Sequence, residues 1–381
     1  MPDMITLDTL PTPTFLLDIA RLRANLETAK RIREEADCKI LLATKAFAMP
    51  AVFPMMRDYL DGTTASGEYE AIMGAESFGK EVHVYSPAYT EAEINAVTKI
   101  AQHVYFNSAQ QLEQWGQVAE AAGCHIGLRV NPGYSNATLG GDLYNPCAPG
   151  SRFGEVPSKL DSVDWLKVDI FHVHALCESL HEGSIGLIEY VAENFGAYLK
   201  QVKTVNFGGG HFLNKPGYDV DALITAIKAF KAKFDVEVVF EPGSGLVVNT
   251  GELHASVIAL HWNEKDLAII DASASTHMPD VLEVPYRPDI IGAGEAGEKA
   301  HTYTLGGKTC MTGDVIGDYS FDSPLQPGDR LIFTDQMHYS FVKTNTFNGS
   351  PLANLAMRHE NRHIEMLSDF GYDAFRSRLG L

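Results

Sequence analysis

Two side chains in this sequence stand where packing alone would not place them. Lys45 closes the apolar run KILLATK (39–45), and Glu241 follows EVVF (237–240) to open the turn EPGSG. A lysine at the end of a buried strand is costly to keep charged, so its pKa should fall and its amine become nucleophilic. Such lysines commonly form Schiff bases with carbonyl compounds. Gly208–Gly210 in TVNFGGG and Gly243, Ser244 and Gly245 in EPGSG present backbone N–H groups and one hydroxyl, a setting that suits an anion. Taken singly, each feature also reads as an ordinary turn glycine or as a lysine reaching out to solvent.

Taken together, they call for a ligand with both a carbonyl and a phosphate, and pyridoxal 5′-phosphate (PLP) has both. A carboxylate such as Glu241 facing the pyridine nitrogen would keep it protonated and make the ring an electron sink, as decarboxylation requires. His172 and His174 lie two apart on one run, so both face the same side, taken as the interior. His174 is placed to stack on the cofactor ring, with His172 deeper in the core. Farther along, Gly307-Lys-Thr-Cys310-Met-Thr-Gly313-Asp314 offers a thiol that could return a proton to carbon and a carboxylate that could hold a substrate amine. Tyr339 reads equally as a phosphate ligand or a buried structural tyrosine.

The elements that must position these residues repeat along the chain. Eight short strand candidates lie at 39–45, 62–67, 82–87, 103–107, 125–131, 169–176, 204–210 and 237–245, most of them separated by helix-like stretches. That alternation predicts an α/β fold, a (β/α)8 barrel whose active site lies at the C-terminal ends of its strands. Lys45, Glu68, Arg129, His174, Gly208–Gly210 and Glu241–Gly245 all fall at such ends. After residue 245 the segments read as strands joined by turns, the pattern of an antiparallel β domain. The expected division is a barrel at 19–245, with 1–18 and 246–381 forming a β-rich domain that contributes to the active site and to a dimer interface. The polar C-terminal stretch LANLAMRHENRHIEMLSDFG reads as partly helical.

Composition narrows the partners. The formal charge of −19 argues against nucleic acid and favours a cationic small molecule. No apolar stretch is long enough to span a bilayer, and the N-terminus lacks the pattern of a signal peptide. Five scattered cysteines without metal-ligand spacing suit a reducing cytoplasm. Three local matches are set aside. Gly292-Ala-Gly294-Glu-Ala-Gly297 lacks the following helix of a dinucleotide site, and Gly306-Gly-Lys-Thr309 is a fragment of a phosphate loop. His359-Glu360-Asn-Arg-His363 reads as a solvated surface helix rather than a zinc site, so no metal is expected.

The motifs LATKAF, ASGEYE, LRVNPG, SRFGE, FHVHALCE, NFGGG, EPGSG, GKTCMTGD and MHYSF span nearly the whole chain. Jointly they resemble the fold type III PLP-dependent decarboxylases, the ornithine, arginine and diaminopimelate group with an alanine-racemase-like barrel. Within it, FHVHALCE, GKTCMTGDVIGDY and TNTFNGSPLANLAM are most similar to the carboxynorspermidine (carboxyspermidine) decarboxylases. The resemblance implies PLP-dependent decarboxylation yielding norspermidine or spermidine, with Lys45 carrying the cofactor and His174 stacking on it. It implies that Gly209, Gly210, Glu241, Gly243, Ser244 and Tyr339 hold cofactor, and that Cys310 and Asp314 reach the partner's site across a homodimer with shared active sites. Arg152 and Arg287 become candidates near the substrate. The turn after His174 departs from the usual Gly-Ser, and the Ala175-Leu-Cys-Glu178 found there puts Glu178 where a carboxylate could meet a polyamine nitrogen. The alternatives are a decarboxylase of diaminopimelate or another basic amino acid, and a non-catalytic PLP carrier, which the second domain disfavours.

Overall fold

The computed structural model describes residues 5–136, 144–368 and 370–380. The chain forms two compact units, one of Ala24–Leu246 and one of Met1–Arg23 with Val247–Leu381. Strand β1 (Thr14–Asp18) belongs to the second unit. The next eight are β2 (Lys39–Ala43), β3 (Gly62–Ala65), β4 (Glu81–Tyr85), β5 (His103–Phe106), β6 (His125–Val130), β7 (Ile170–Val173), β8 (Thr204–Asn206) and β9 (Glu237–Phe240). They pair in parallel in chain order, and β9 closes on β2 to complete the barrel expected from the sequence.

The outward side chains are apolar and meet the helices. Phe207 packs on Phe240 and on Phe230, with ring centroids 5.6 and 5.2 Å away. The helix Val220–Phe234 supplies Phe230 from a buried stripe of Leu223, Ile224, Ile227, Phe230 and Phe234. That stripe follows helical spacing. Asp219 caps the helix by accepting the Ala222 N–H at 2.9 Å.

The interior differs from the usual filling of such barrels by branched apolar residues. Side-chain alternation along the strands turns His83 and Tyr85, Tyr105, Arg129, His172 and Asn206 inward. Register sets Arg129 beside His172 and His172 beside Asn206 on neighbouring strands. Tyr105 spans the barrel floor, its ring 4.8 Å from that of His172.

In the second unit the strands are β10 (Gly251–Asn263), β11 (Lys265–Ile270), β12 (His301–Gly306), β13 (Val315–Phe321), β14 (Arg330–Thr334), β15 (Asn354–Arg358) and β16 (Ile364–Ser368). They run β13-β12-β11-β10-β1-β15-β16, with β14 also on β10. Most pairings are antiparallel, but β1–β15 and β11–β12 are parallel, so the sheet is mixed. The C-terminal stretch expected to be partly helical is instead the β15–β16 hairpin. His359–His363 is its turn, closed by the His359 N–H donating to the His363 carbonyl at 2.8 Å. The alternation in NLAMR and IEMLS, which pairs as strand, outweighs the helical look of the polar residues between them. The glycines at 292–297 lie in turns, with Gly294 bridged to Ser320. Among the described residues no helix is long and apolar enough to cross a membrane.

Only glycine at position 127 lets the Tyr105 ring lie across β6, because a Cβ there would stand 2.2 Å from a Tyr105 ring carbon. Gly127→Ala is therefore expected to lose about 1–3 kcal/mol of stability through overpacking. Urea unfolding followed by circular dichroism measures it, and an unchanged midpoint would contradict this packing.

Candidate active site

A small cavity at the C-terminal ends of the strands is lined by Lys45, Thr64, Ser66, Tyr85, Arg129, His172, His174 and Glu241. Of the sequence-derived candidates, it brings together Lys45, His174 and Glu241. Lys45 lies in the turn after β2, whose base is fixed by Glu70. The Glu70 carboxylate accepts the Thr44 hydroxyl at 2.9 Å and the Ser66 N–H at 2.6 Å, tying together the ends of β2 and β3. The Lys45 side chain is open to the cavity yet deep among protein atoms. Loss of bulk solvent, reinforced by the Arg129 guanidinium, drives its pKa down, while Glu241 and Glu70 partly oppose the shift.

Glu241 is buried (5% exposed) at the end of β9. One carboxylate oxygen, Oε1, accepts from Asn206 Nδ2 at 2.7 Å, and Oε2 lies 3.7 Å from His172 Nε2. His172 is also buried and makes no hydrogen bond with either ring nitrogen among the described residues. Burial, with Arg129 and Lys45 nearby, holds its pKa far below the ordinary histidine value. His174 is likewise held neutral, first by burial and then by Lys45 and Arg129. Its Nδ1 accepts the Gly209 N–H at 3.0 Å, which leaves the proton on Nε2.

The glycine run also has work within the fold. The Gly208 N–H donates to Asn206 Oδ1 at 2.8 Å and the Gly209 N–H to His174, so two of the three amides serve the protein itself. Gly210, at φ +88, has no room for a Cβ, which would stand 2.2 Å from the Leu176 carbonyl oxygen. A Cβ at Gly243 would stand 2.4 Å from that of Ala46, so EPGSG packs tightly on the end of β2. Ser244 is buried next to it.

Arg129 is the main residue to which the sequence assigned no role. Its guanidinium lies between the rings of Tyr85 and Phe153, 4.6 Å from each, and donates to the His174 carbonyl at 3.2 Å. Asn206, Tyr105 and Glu70 were missed as well. For Asn206 and Tyr105 the available signal was a polar residue at an inward position of an otherwise apolar strand run; Glu70, on the helix Glu68–Met73, carried no such signal.

The other candidates do not line this cavity. Glu178 is exposed, in the loop after β7, with a left-handed backbone at φ +45. Arg152 is exposed and lies over the Phe153 ring at 4.3 Å. Arg287, in the second unit, pairs with Glu295 and covers the Tyr319 ring at 4.4 Å. Cys310 is exposed, its N–H held by Asn348 Oδ1 at 2.7 Å. Asp314 is buried, and its carboxylate accepts from the Ser273 hydroxyl, the Ser275 N–H and the Thr309 N–H and hydroxyl. Both oxygens are thus engaged in holding the 307–314 loop. Tyr339 is half-buried at the start of the short helix Tyr339–Val342. A larger cleft, near 380 Å³, lies around Arg33, Asp61 and Lys231, where Arg33 pairs with Asp61 and Lys231 with Asp37, leaving little unspent chemistry.

A lysine of lowered pKa and a buried carboxylate at the mouth of a parallel barrel, in a chain that also carries a sheet unit, are the features of a class of cofactor-dependent enzyme. Residues 82–336 match the family described as pyridoxal-dependent decarboxylase, C-terminal sheet domain. The chain is 41% identical to a carboxyaminopropylagmatine decarboxylase of Synechocystis, over 98% of this chain and 97% of that one. It is 38% identical to a carboxynorspermidine/carboxyspermidine decarboxylase of Campylobacter jejuni, over 96% and 98%. The crystal structure of a carboxynorspermidine decarboxylase from Campylobacter jejuni, complexed with norspermidine, superposes with a TM-score of 0.90 at 36% identity, covering 97% of this chain and all of that one. The chain belongs to the pyridoxal-dependent decarboxylases, the family that its motifs resemble.

A lowered pKa means that the neutral, reactive amine of Lys45 is present at lower pH than that of an exposed lysine. In the cofactor-free chain, reductive methylation followed residue by residue by mass spectrometry should give Lys45 a midpoint below 10.5, the ordinary lysine value. A midpoint at or above that value would refute the electrostatic picture of the cavity.

Proposed function

We propose that this chain decarboxylates a carboxylated polyamine, carboxynorspermidine or carboxyspermidine, yielding norspermidine or spermidine, with PLP as its cofactor in the cytoplasm. The observation that carries the reaction is the single cavity shared by the Lys45 amine and the Glu241 carboxylate. The residues there fit PLP: an amine for its carbonyl, a neutral imidazole at His174 for its ring and a buried carboxylate for its ring nitrogen. When bound, PLP supplies an electron sink for the pair left behind as the carboxylate departs.

The protein's own groups do the rest. Lys45 would hold the cofactor through its amine. Glu241, kept in place by Asn206, would face the ring nitrogen and favour its protonated form. The Gly210 amide, Gly243, Ser244 and Tyr339 would take the phosphate, while Gly209 contributes by orienting His174. Cys310 of the second copy of a homodimer, or a nearby group, would supply the proton that replaces CO2 on Cα. Glu178, exposed in the loop after His174, and the net charge of −19 favour a cationic side chain.

The substrate class is supported by the relatives at 36–41% identity, all named for carboxylated polyamine-like substrates. The 41% match favours a second reading, carboxyaminopropylagmatine, whose far end is a guanidinium rather than an ammonium. Purified holoenzyme offered each of these acids, meso-diaminopimelate, ornithine and arginine separately should release CO2 preferentially from a carboxylated polyamine, as read by mass spectrometry of the products. Preference for carboxyaminopropylagmatine selects the second reading, and turnover of diaminopimelate alone overturns both. Lys45→Ala should lower kcat by about a thousandfold or more.

The shared-site dimer has its own test. Lys45→Ala and Cys310→Ala chains, each inactive alone, should recover roughly a quarter of native activity when unfolded together and refolded, because one site in each mixed dimer is then intact. No recovery from the mixture would remove Cys310 from the partner's site.

A further inference from the structure

Beneath Glu241, a file of buried polar groups runs down the barrel interior. Asn206 Nδ2 donates one hydrogen to Glu241 Oε1 at 2.7 Å and the other to the Tyr105 hydroxyl oxygen at 2.9 Å. Asn206 Oδ1 accepts from the Gly208 N–H at 2.8 Å, so the amide has a single orientation in which all of its partners agree. The Tyr105 hydroxyl lies 2.7 Å from His83 Nδ1, and His83 Nε2 lies 3.3 Å from Glu81 Oε2. Tyr105 and Asn206 are 0% exposed and His83 1%.

Every proton in the file can be assigned. The hydrogen bond from His83, aided by Lys39 2.8 Å away, holds the Glu81 carboxyl down to about 2, so Glu81 only accepts. His83 Nε2 therefore carries a hydrogen, and its Nδ1 accepts. Burial raises the Tyr105 pKa well above its ordinary value, so the phenol stays protonated and donates to Nδ1. The donors run Asn206 to Tyr105 to His83 to Glu81, while the other Asn206 hydrogen points at Glu241.

His103 Nε2 lies 3.7 Å from Glu81 Oε2, and the donor atoms of Glu81, His83 and His103 lie within 4.8 Å of one another. The cluster is nonetheless a poor metal centre. The two imidazoles are stacked at 3.9 Å and 13°, so their in-plane lone pairs run side by side instead of converging. The cluster anchors the lower end of the file.

We propose that Tyr105, fixed by His83, is a positioning residue for the reaction, because it locks the amide of Asn206 and so the carboxylate of Glu241. This inference rests on the assignment of Glu241 to the cofactor's ring nitrogen. Removing the phenol oxygen leaves one Asn206 N–H and the His83 Nδ1 lone pair buried without partners, which frees the amide to turn from Glu241.

Tyr105→Phe holoenzyme should lose about tenfold in kcat with KM little changed, equivalent to ~1.4 kcal/mol. PLP bound to that variant should show a shifted midpoint in a pH titration of its visible absorption. Combined with Glu241→Gln, the Phe substitution should cost nothing further in kcat, since it acts only through Glu241. Thermal unfolding of each cofactor-free variant separates loss of fold from loss of positioning. Native kcat and an unshifted absorption titration in Tyr105→Phe would overturn the proposal, as would a full tenfold loss added on top of Glu241→Gln. A Glu241→Gln enzyme with native kcat and native absorption would instead sink the assignment of Glu241, and the proposal with it.

Discussion

The structure of the barrel turns on keeping one carboxylate buried and fixed beneath the cavity. An ionised group out of water is tolerated only when its lone pairs meet donors and its neighbours favour the charge. Glu241 obtains this from Asn206 on β8, and Asn206 obtains its own orientation from Tyr105 on β5 and from the Gly208 amide. The interior therefore cannot be the usual apolar filling, and its polar residues constrain their surroundings in turn. Gly127 leaves room for the Tyr105 ring, and Gly243 lets the turn that carries Glu241 close against Ala43 and Ala46.

The same demand decides which cation loses its proton the more readily. Lys45 and Arg129 both lie near Glu241, and each lowers the other's stability as a cation. Arg129 yields nothing, because a guanidinium stays protonated even when burial lowers its pKa, and the Tyr85 and Phe153 faces and a backbone carbonyl solvate it. Lys45 starts lower and has no hydrogen-bond partner among the described residues. His172 and His174 are already neutral for the same reasons. The field that would be a liability in a packed core favours the neutral form of the Lys45 amine more than bulk water would.

The barrel was legible because its strands are short apolar runs at regular spacing, and Lys45, His174 and Glu241 were legible because they end such runs. Asn206, Tyr105 and Glu70 were not. Each acts on a residue 20 or more positions away, which strand pairing and the curl of the barrel bring near. The misread segment has a local cause: HENRH looks helical only while the flanking strands are unpaired. The bonds that Ser273 and Thr309 make to Asp314 were not legible, because they join segments distant along the chain or within a loop.

The glycine run shows how one segment can serve several needs. Read along the chain, NFGGG suggests a phosphate cradle and little else. In the fold, Asn206 from this segment braces Glu241, the Gly208 amide braces Asn206, and the Gly209 amide fixes the tautomer of His174. The missing side chains are required by close approach, since a Cβ at 208, 209 or 210 would meet the backbone of β7, of the turn after β9 or of the loop at Leu176 within 2.7 Å. Anion binding accounts for at most one of the three amides. The other two hold Asn206, which braces Glu241, and His174, so a change anywhere in this turn would disturb Glu241 and His174 together.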